Sequence, residues 1–178
     1  RCNQFVNVKH TWSGAHVVEL LRSSAAHLFS AGVRDKFGIM NDIAYALAYQ
    51  VDKREATRTE VLSFALSCRA MGRGVEHALL RSIGRATRER SQFPTGVVVM
   101  GYNDSGKNRA FLDFIESMSR ACSVESEEHF DHACSFSGLT PEQSVLFDVQ
   151  KLASFSYTAE AFANDTLLRR DSENRIST

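Results

Sequence analysis

A short run of glycine and arginine near the middle of the chain has the spacing of an anion-binding loop. It reads Arg69-Ala70-Met71-Gly72-Arg73-Gly74 and follows an apolar segment, residues 61–68, that is typical of a buried strand. After the run, apolar residues recur at helical spacing, which predicts a helix over residues 74–90. Glycines let a backbone approach a ligand closely, and the first N–H groups of a helix have no partner within it. This order predicts a phosphate or pyrophosphate site. Its predicted residues are Arg69, Met71, Gly72, Arg73 and Gly74.

The loop and its arginines also have a simpler interpretation. The loop fits a plain turn between a strand and a helix, and Arg69 and Arg73 then lie on a solvated surface. Arg81, Arg85 and Arg88 recur at helical spacing, which an acidic partner could recognise. Charge on an exposed helix face is routine, so a solvated surface is the simpler account of these three residues.

Two side chains near the loop have types suited to acid–base or nucleophilic chemistry. Glu60 opens the strand that leads into the loop, where a carboxylate could act as the general base for an incoming amine or water. An exposed carboxylate at the strand end is the alternative. Cys68 stands beside Arg69, and a neighbouring cation favours the reactive thiolate. A buried structural cysteine is the alternative there, because free cysteine is among the most buried residue types.

The histidines and cysteines do not predict a metal site. His129, His132 and Cys134 are close in sequence, within a segment that we predict to be a strand over residues 130–136. Positions three apart in a strand face opposite sides, so these side chains would not converge on one zinc ion. We therefore expect no metal.

Length and composition favour one globular domain. The chain has 178 residues, 43% of them hydrophobic, and its 21 basic residues balance its 21 acidic ones, which argues against nucleic acid as a partner. No apolar run reaches transmembrane length and no signal peptide opens the chain, so we expect no membrane contact. The four cysteines lack the spacing of a disulfide framework, which favours a reducing cytoplasm. The chain begins at Arg1, and we expect it to be a piece of a longer polypeptide.

The remaining elements follow from periodicity and from turn residues. Residues 43–51 alternate, with Ala44, Ala46 and Ala48 on the face that admits a closely packed helix and the aromatic residues on a face that fills a core. We expect residues 1–12 to be an incoming linker or first extended segment, residues 13–155 to be the domain, and residues 156–178 to be a partly disordered tail. The other predicted elements are a helix capped by Ser13, a strand over 27–36, a strand over 95–101, a helix over 107–118, and an antiparallel pair formed by 130–136 and 144–149.

This order of elements resembles the GCN5-related acyltransferase (GNAT) fold, in which a loop of the Arg69-x-x-Gly72-x-Gly74 pattern binds the pyrophosphate of acyl-CoA. The longer run over residues 67–76 looks like the C-terminal GNAT-like domain of FkbH-like proteins of polyketide biosynthesis, and three other segments agree. They are residues 1–5, residues 34–38, and Lys107-Asn108 with Asp113-Phe114. The resemblance implies an α+β (α/β three-layer) fold with a mixed, mainly antiparallel twisted sheet flanked by helices.

The resemblance also implies ligands and partners. The cofactor would be coenzyme A, acyl-CoA or the phosphopantetheine arm of an acyl carrier protein. A HAD-like domain of the same polypeptide would do the chemistry, and the present domain would assist the loading of a glyceryl or related acyl group. Asn108 matches an asparagine near the pantetheine arm in GNAT folds, although capping of the following helix is an equal alternative.

Departures from the family pattern leave enzymatic activity open. GNAT enzymes place a tyrosine that protonates the departing thiolate directly after the phenylalanine matching Phe114; this chain has Ile115, which cannot donate a proton. No Asp-x-Asp-x-Thr-like motif of a HAD-type nucleophile is present. Two alternatives therefore stand beside the carrier-binding domain. One is a self-sufficient acetyl-CoA-dependent N-acyltransferase, and the other is a catalytically degenerate docking scaffold.

Overall fold

A computed structural model describes residues 4–8, 12–35, 38–53, 56–124, 143–156 and 161–164 of the chain. The helices are α1 (Gly14–Arg22), α2 (Val75–Arg90), α3 (Arg109–Cys122) and α4 (Val149–Ser154), with a 3₁₀ turn at Cys68–Ala70. The strands are β1 (Ala26–Asp35), β2 (Gly38–Lys53), β3 (Ala56–Leu66), β4 (Gly96–Gly101), β5 (Ser144–Asp148) and β6 (Ala161–Asn164).

The strands of the described segments form one six-stranded mixed sheet in the order β5-β4-β3-β2-β1-β6. Strands β3 and β4 are parallel, and every other neighbouring pair is antiparallel. Helix α2 connects the two parallel strands, as such a crossover requires. The prediction of an α+β fold with a mixed, mainly antiparallel sheet and flanking helices is confirmed.

One face of the sheet carries most of the core. Ala44, Ala46 and Ala48 are completely buried, as the sequence predicts for a face under a closely packed helix. They belong to the same hydrophobic cluster as Leu79 and Ile83 of α2. The prediction that the aromatic residues on the opposite face of β2 fill a core is wrong in part, because Tyr45 is 46% exposed and Tyr49 is only half-buried.

A register shift in β3 keeps this core face continuous. Leu47 pairs with Ser63 but Ala48 pairs with Val61, so Leu62 is an extra residue on β3. Such a bulge reverses the alternation of side chains along the bulged strand. Val61 and Phe64 therefore both point to the alanine face, where the hydrophobic cluster includes them.

Two predicted segments need separate comment. Strand β5 pairs with β4, and its predicted partner, residues 130–136, lies outside the described residues, so that pairing stays a prediction. Strand β6 lies within the predicted tail and pairs with β1. The chain near its start is also built into the domain, since Phe5, Asn7 and Val8 are buried.

Candidate functional site

The glycine loop has the backbone geometry that an anion site needs. After β3, the Ser67 hydroxyl accepts a hydrogen bond from the Arg69 N–H at 3.4 Å, and the 3₁₀ turn follows. Gly72 and Gly74 both have left-handed backbones, with φ of 72° and 75°. L-residues with a side chain pay a steric penalty in this region, so two glycines are what this loop requires.

Helix α2 begins at this loop without a side-chain cap. Gly74 is the N-cap residue, and it makes no side-chain cap hydrogen bond. Apart from its chain neighbours, no atom of the described residues lies within 4 Å of the point where a side chain at Gly72 would begin, so the loop faces open space there. Arg69 is exposed, whereas Met71 and Arg73 are half-buried. The predicted phosphate-site residues therefore lie together around an uncapped helix start.

A buried carboxylate in the first turn of α2 was missed by the sequence analysis. Glu76 is 6% exposed, and its Oε1 lies 3.6 Å from the Nδ1 of His77. Its Oε2 has no hydrogen-bond partner among the described residues. The His77 ring contacts Phe114 edge-on at 5.2 Å and stacks on Phe155 at 6.0 Å between centroids. An acidic residue two positions after Gly74 was the available signal, because carboxylates favour the first turn of a helix.

Strands β3 and β4 diverge next to the loop. Their parallel pairing runs from Thr57 opposite Gly96 to Val61 opposite Met100 and then stops, although β3 continues to Leu66. A cleft opens between the two strand ends. The chain's own residues 5–7 lie in this cleft and pair with both walls, and Val6 forms an antiparallel bridge to Ala65.

Asn108 holds the cleft segment and does not offer free polar atoms to a ligand. Its Oδ1 accepts hydrogen bonds from the N–H and the hydroxyl of Ser105, at 3.0 and 2.9 Å. Its Nδ2 donates to the carbonyl oxygens of Val6 and Asn103, at 3.2 and 2.8 Å. Asn108 occupies the N-cap position of α3, but its side chain does not cap that helix. The prediction of a side-chain cap is therefore wrong, and the Asn108 side chain links chain segments instead.

Glu60 is buried in the middle of β3. It is 2% exposed, and its Oε1 accepts a hydrogen bond from Nε of Arg58 at 3.0 Å. The prediction of an exposed carboxylate at a strand end is therefore wrong. A carboxylate buried in an ion pair with arginine is poorly placed to take a proton from a substrate.

Cys68 is exposed and disulfide-bonded, and its partner lies outside the described residues. The prediction of a buried structural cysteine is wrong because Cys68 is exposed. The prediction of a reactive thiol is also wrong, because a disulfide sulfur is not a thiolate. This disulfide also departs from the expectation of reduced cysteines throughout the chain. Cys122 is free, and burial raises the pKa of its thiol.

A surface pocket adjoins the loop on the side of β2. It has a volume of about 510 Å³, and Arg69 and Ser67 line it on the loop side. Tyr45 and Asp42 of β2 line the other side. The pocket therefore places a guanidinium, a phenol and a carboxylate around one opening beside the predicted phosphate site.

The chain matches no protein-family model and no curated protein sequence. Within the described ranges, no group of three or more His, Cys, Asp or Glu side chains could hold a metal ion. His129, His132 and Cys134 lie outside those ranges. None of the helices in the described part of the chain is long and apolar enough to cross a membrane.

Proposed function

We propose that this chain is a docking domain that receives the phosphate end of a phosphopantetheine arm, carried by an acyl carrier protein or by coenzyme A. The observation that carries the proposal is the uncapped start of α2 at two left-handed glycines, Gly72 and Gly74. Free N–H groups at a helix start bind phosphate because they donate hydrogen bonds and lie at the positive end of the helix dipole. The exposed Arg69 beside them adds a positive charge.

The chemistry of acyl transfer belongs, in this proposal, to another domain of an FkbH-like polypeptide. The two catalytic residues that the sequence suggested are both engaged elsewhere: Glu60 pairs with Arg58, and Cys68 is in a disulfide. Ile115 is 3% exposed and packs in the core, where the related enzymes have their tyrosine acid. The domain would thus assist glyceryl or related acyl loading by holding the carrier.

Calorimetric titration with coenzyme A and with a holo acyl carrier protein tests the proposal. We expect binding that weakens with salt, because phosphate contacts are electrostatic. Arg69→Ala should weaken binding several-fold. Arg88→Ala is the matched control, since it removes another exposed arginine that lies about 20 Å along α2 from the start of that helix.

Two results would contradict the proposal. The first is an absence of binding to either ligand. The second is turnover of acetyl-CoA with an amine by the unaltered chain, which would favour a self-sufficient N-acyltransferase.

A further inference from the structure

The cleft between β3 and β4 has the shape and the hydrogen-bonding groups to hold an extended chain. Beyond Val61 and Met100 the two parallel strands no longer pair. The backbone groups of Phe64 and Leu66 that face the cleft therefore need partners from something lying between the strands. An extended segment satisfies a strand edge in this way, by adding to the sheet.

Residues 5–7 supply those partners on the β3 side. The Leu66 N–H donates to the Phe5 carbonyl oxygen at 3.1 Å, and the Asn7 N–H donates to the Phe64 carbonyl oxygen at 3.1 Å. The Phe64 N–H donates to Oδ1 of Asn7 at 2.8 Å. A side-chain amide here substitutes for a backbone carbonyl.

The same segment reaches the other wall. Nδ2 of Asn7 donates to the carbonyl oxygen of Gly101, the last residue of β4, at 3.0 Å. The Asn103 N–H donates to the Asn7 carbonyl oxygen at 3.0 Å. Asn7 therefore spans the cleft from β3 to the end of β4.

Burial fixes the segment in place. Phe5 is 3% exposed and Asn7 is 1% exposed. The Phe5 ring contacts the rings of Phe64, Phe111 and Phe114, with centroid distances between 5.4 and 6.3 Å. Displacing the segment would expose this aromatic side chain and leave backbone groups on both walls without partners.

We infer that residues 5–7 are the permanent occupant of this cleft, so that a pantetheine arm cannot enter it and the domain holds its ligand by the phosphate end alone. The inference rests on the proposed function. The inference adds a statement about specificity: the domain accepts a phosphate-bearing carrier regardless of the acyl group on its thiol. Asn7 is the positioning residue of this arrangement, because it alone bonds to both walls within the segment.

Titration with three ligands that differ at the thiol end tests the specificity. 3′-Phosphoadenosine 5′-diphosphate has the phosphates of coenzyme A but no arm, coenzyme A adds the arm, and acetyl-CoA adds an acyl group. We expect the three Kd values to agree within about threefold, because the arm makes no contact in a filled cleft. Binding of coenzyme A or acetyl-CoA at least tenfold tighter than that of 3′-phosphoadenosine 5′-diphosphate would overturn the inference.

Hydrogen exchange tests the occupancy of the cleft independently of any ligand. We expect the amides of Asn7, Phe64, Leu66 and Asn103 to exchange as slowly as that of the core residue Val98, and to keep this protection at saturating coenzyme A. Exchange at least a hundredfold faster than at Val98, or protection lost on adding coenzyme A, would overturn the inference. If none of the three ligands binds, the proposed function fails, whereas the exchange rates of the free protein still decide whether the cleft is filled.

Discussion

Asn7 and Phe64 are joined by two hydrogen bonds across 57 positions of the chain. The Phe64 N–H donates to the Asn7 side chain at 2.8 Å, and the Asn7 N–H donates to the Phe64 carbonyl oxygen at 3.1 Å. Through this pair, a segment near the start of the sequence becomes part of the central sheet. The cleft beside the glycine loop is thereby filled with the protein's own chain.

Removing the Asn7 amide should destabilise the fold. Asn7→Ala leaves the Phe64 N–H and the Gly101 carbonyl oxygen buried without their partners, which should cost about 2–4 kcal/mol of unfolding free energy. Urea denaturation measures the loss. Asn41→Ala is the control, because Asn41 is exposed on β2, and a change within about 0.5 kcal/mol is expected there. Equal effects of the two substitutions would contradict the structural role of Asn7.

The Arg58–Glu60 pair should behave as a buried ion pair. Glu60→Gln removes the counter-charge of a buried arginine, and breaking such a pair by removing one partner costs about 3–5 kcal/mol. Glu89→Gln is the matched control. Its carboxylate lies 4.0 Å from an arginine nitrogen in an exposed pair, and such pairs contribute about 0–1 kcal/mol. A Glu60→Gln variant as stable as the parent would show that the carboxylate is not needed for folding and would reopen its role as a base.

Gly84 should tolerate no side chain. A Cβ at this position in α2 would lie 2.6 Å from Cβ of Leu152 in α4. Gly84→Ala should therefore lose about 1–3 kcal/mol by overpacking, although alanine is the better helix former. Gly14→Ala tests the same change in α1, where no atom in the described part of the chain lies within 4 Å of the added Cβ, and should be neutral or stabilising. Thermal melts of both variants measure the two changes in stability. A Gly84→Ala variant more stable than the parent would contradict the close approach of α2 and α4.

His27 should make stability fall in mild acid. Burial and, secondarily, the Arg90 guanidinium lower the pKa of His27 from 6.5 to about 4. Nδ1 of His27 lies 2.8 Å from the Arg90 guanidinium, so the neutral ring accepts that hydrogen bond. Because the unfolded chain binds this proton more tightly than the folded one, the stability contribution is complete above pH 6.5 and is lost as the pH falls toward about 4.

The pH dependence can be assigned to this residue by substitution. His27→Asn keeps an acceptor near Nδ1 but does not titrate, so urea midpoints at pH 7 and pH 4.5 should differ less than in the parent. An unchanged difference would assign the acid sensitivity to other groups.

The local sequence determined those helices, strands and turns that a residue pattern marks within a few positions. The alternation of residues 43–51 predicts a strand with a buried alanine face, and the spacing of Gly72 and Gly74 before a helical period predicts the start of α2. Both are found. Backbone sterics and side-chain periodicity act within a turn or a few strand residues, so the sequence carries this information without reference to the rest of the fold.

The tertiary structure alone decided what surrounds the loop. Asn7 contacts partners 57 and 94 positions away, and no local pattern marks such pairs. The sequence suggested Glu60 as an exposed carboxylate at a strand end, yet the packing of the chain over that strand buries it together with Arg58. Cys68 shows no pairing signal in its own neighbourhood, but its sulfur is in a disulfide. These features depend on which distant segments come together, and that choice is made by the free energy of the whole core rather than by any short stretch of residues.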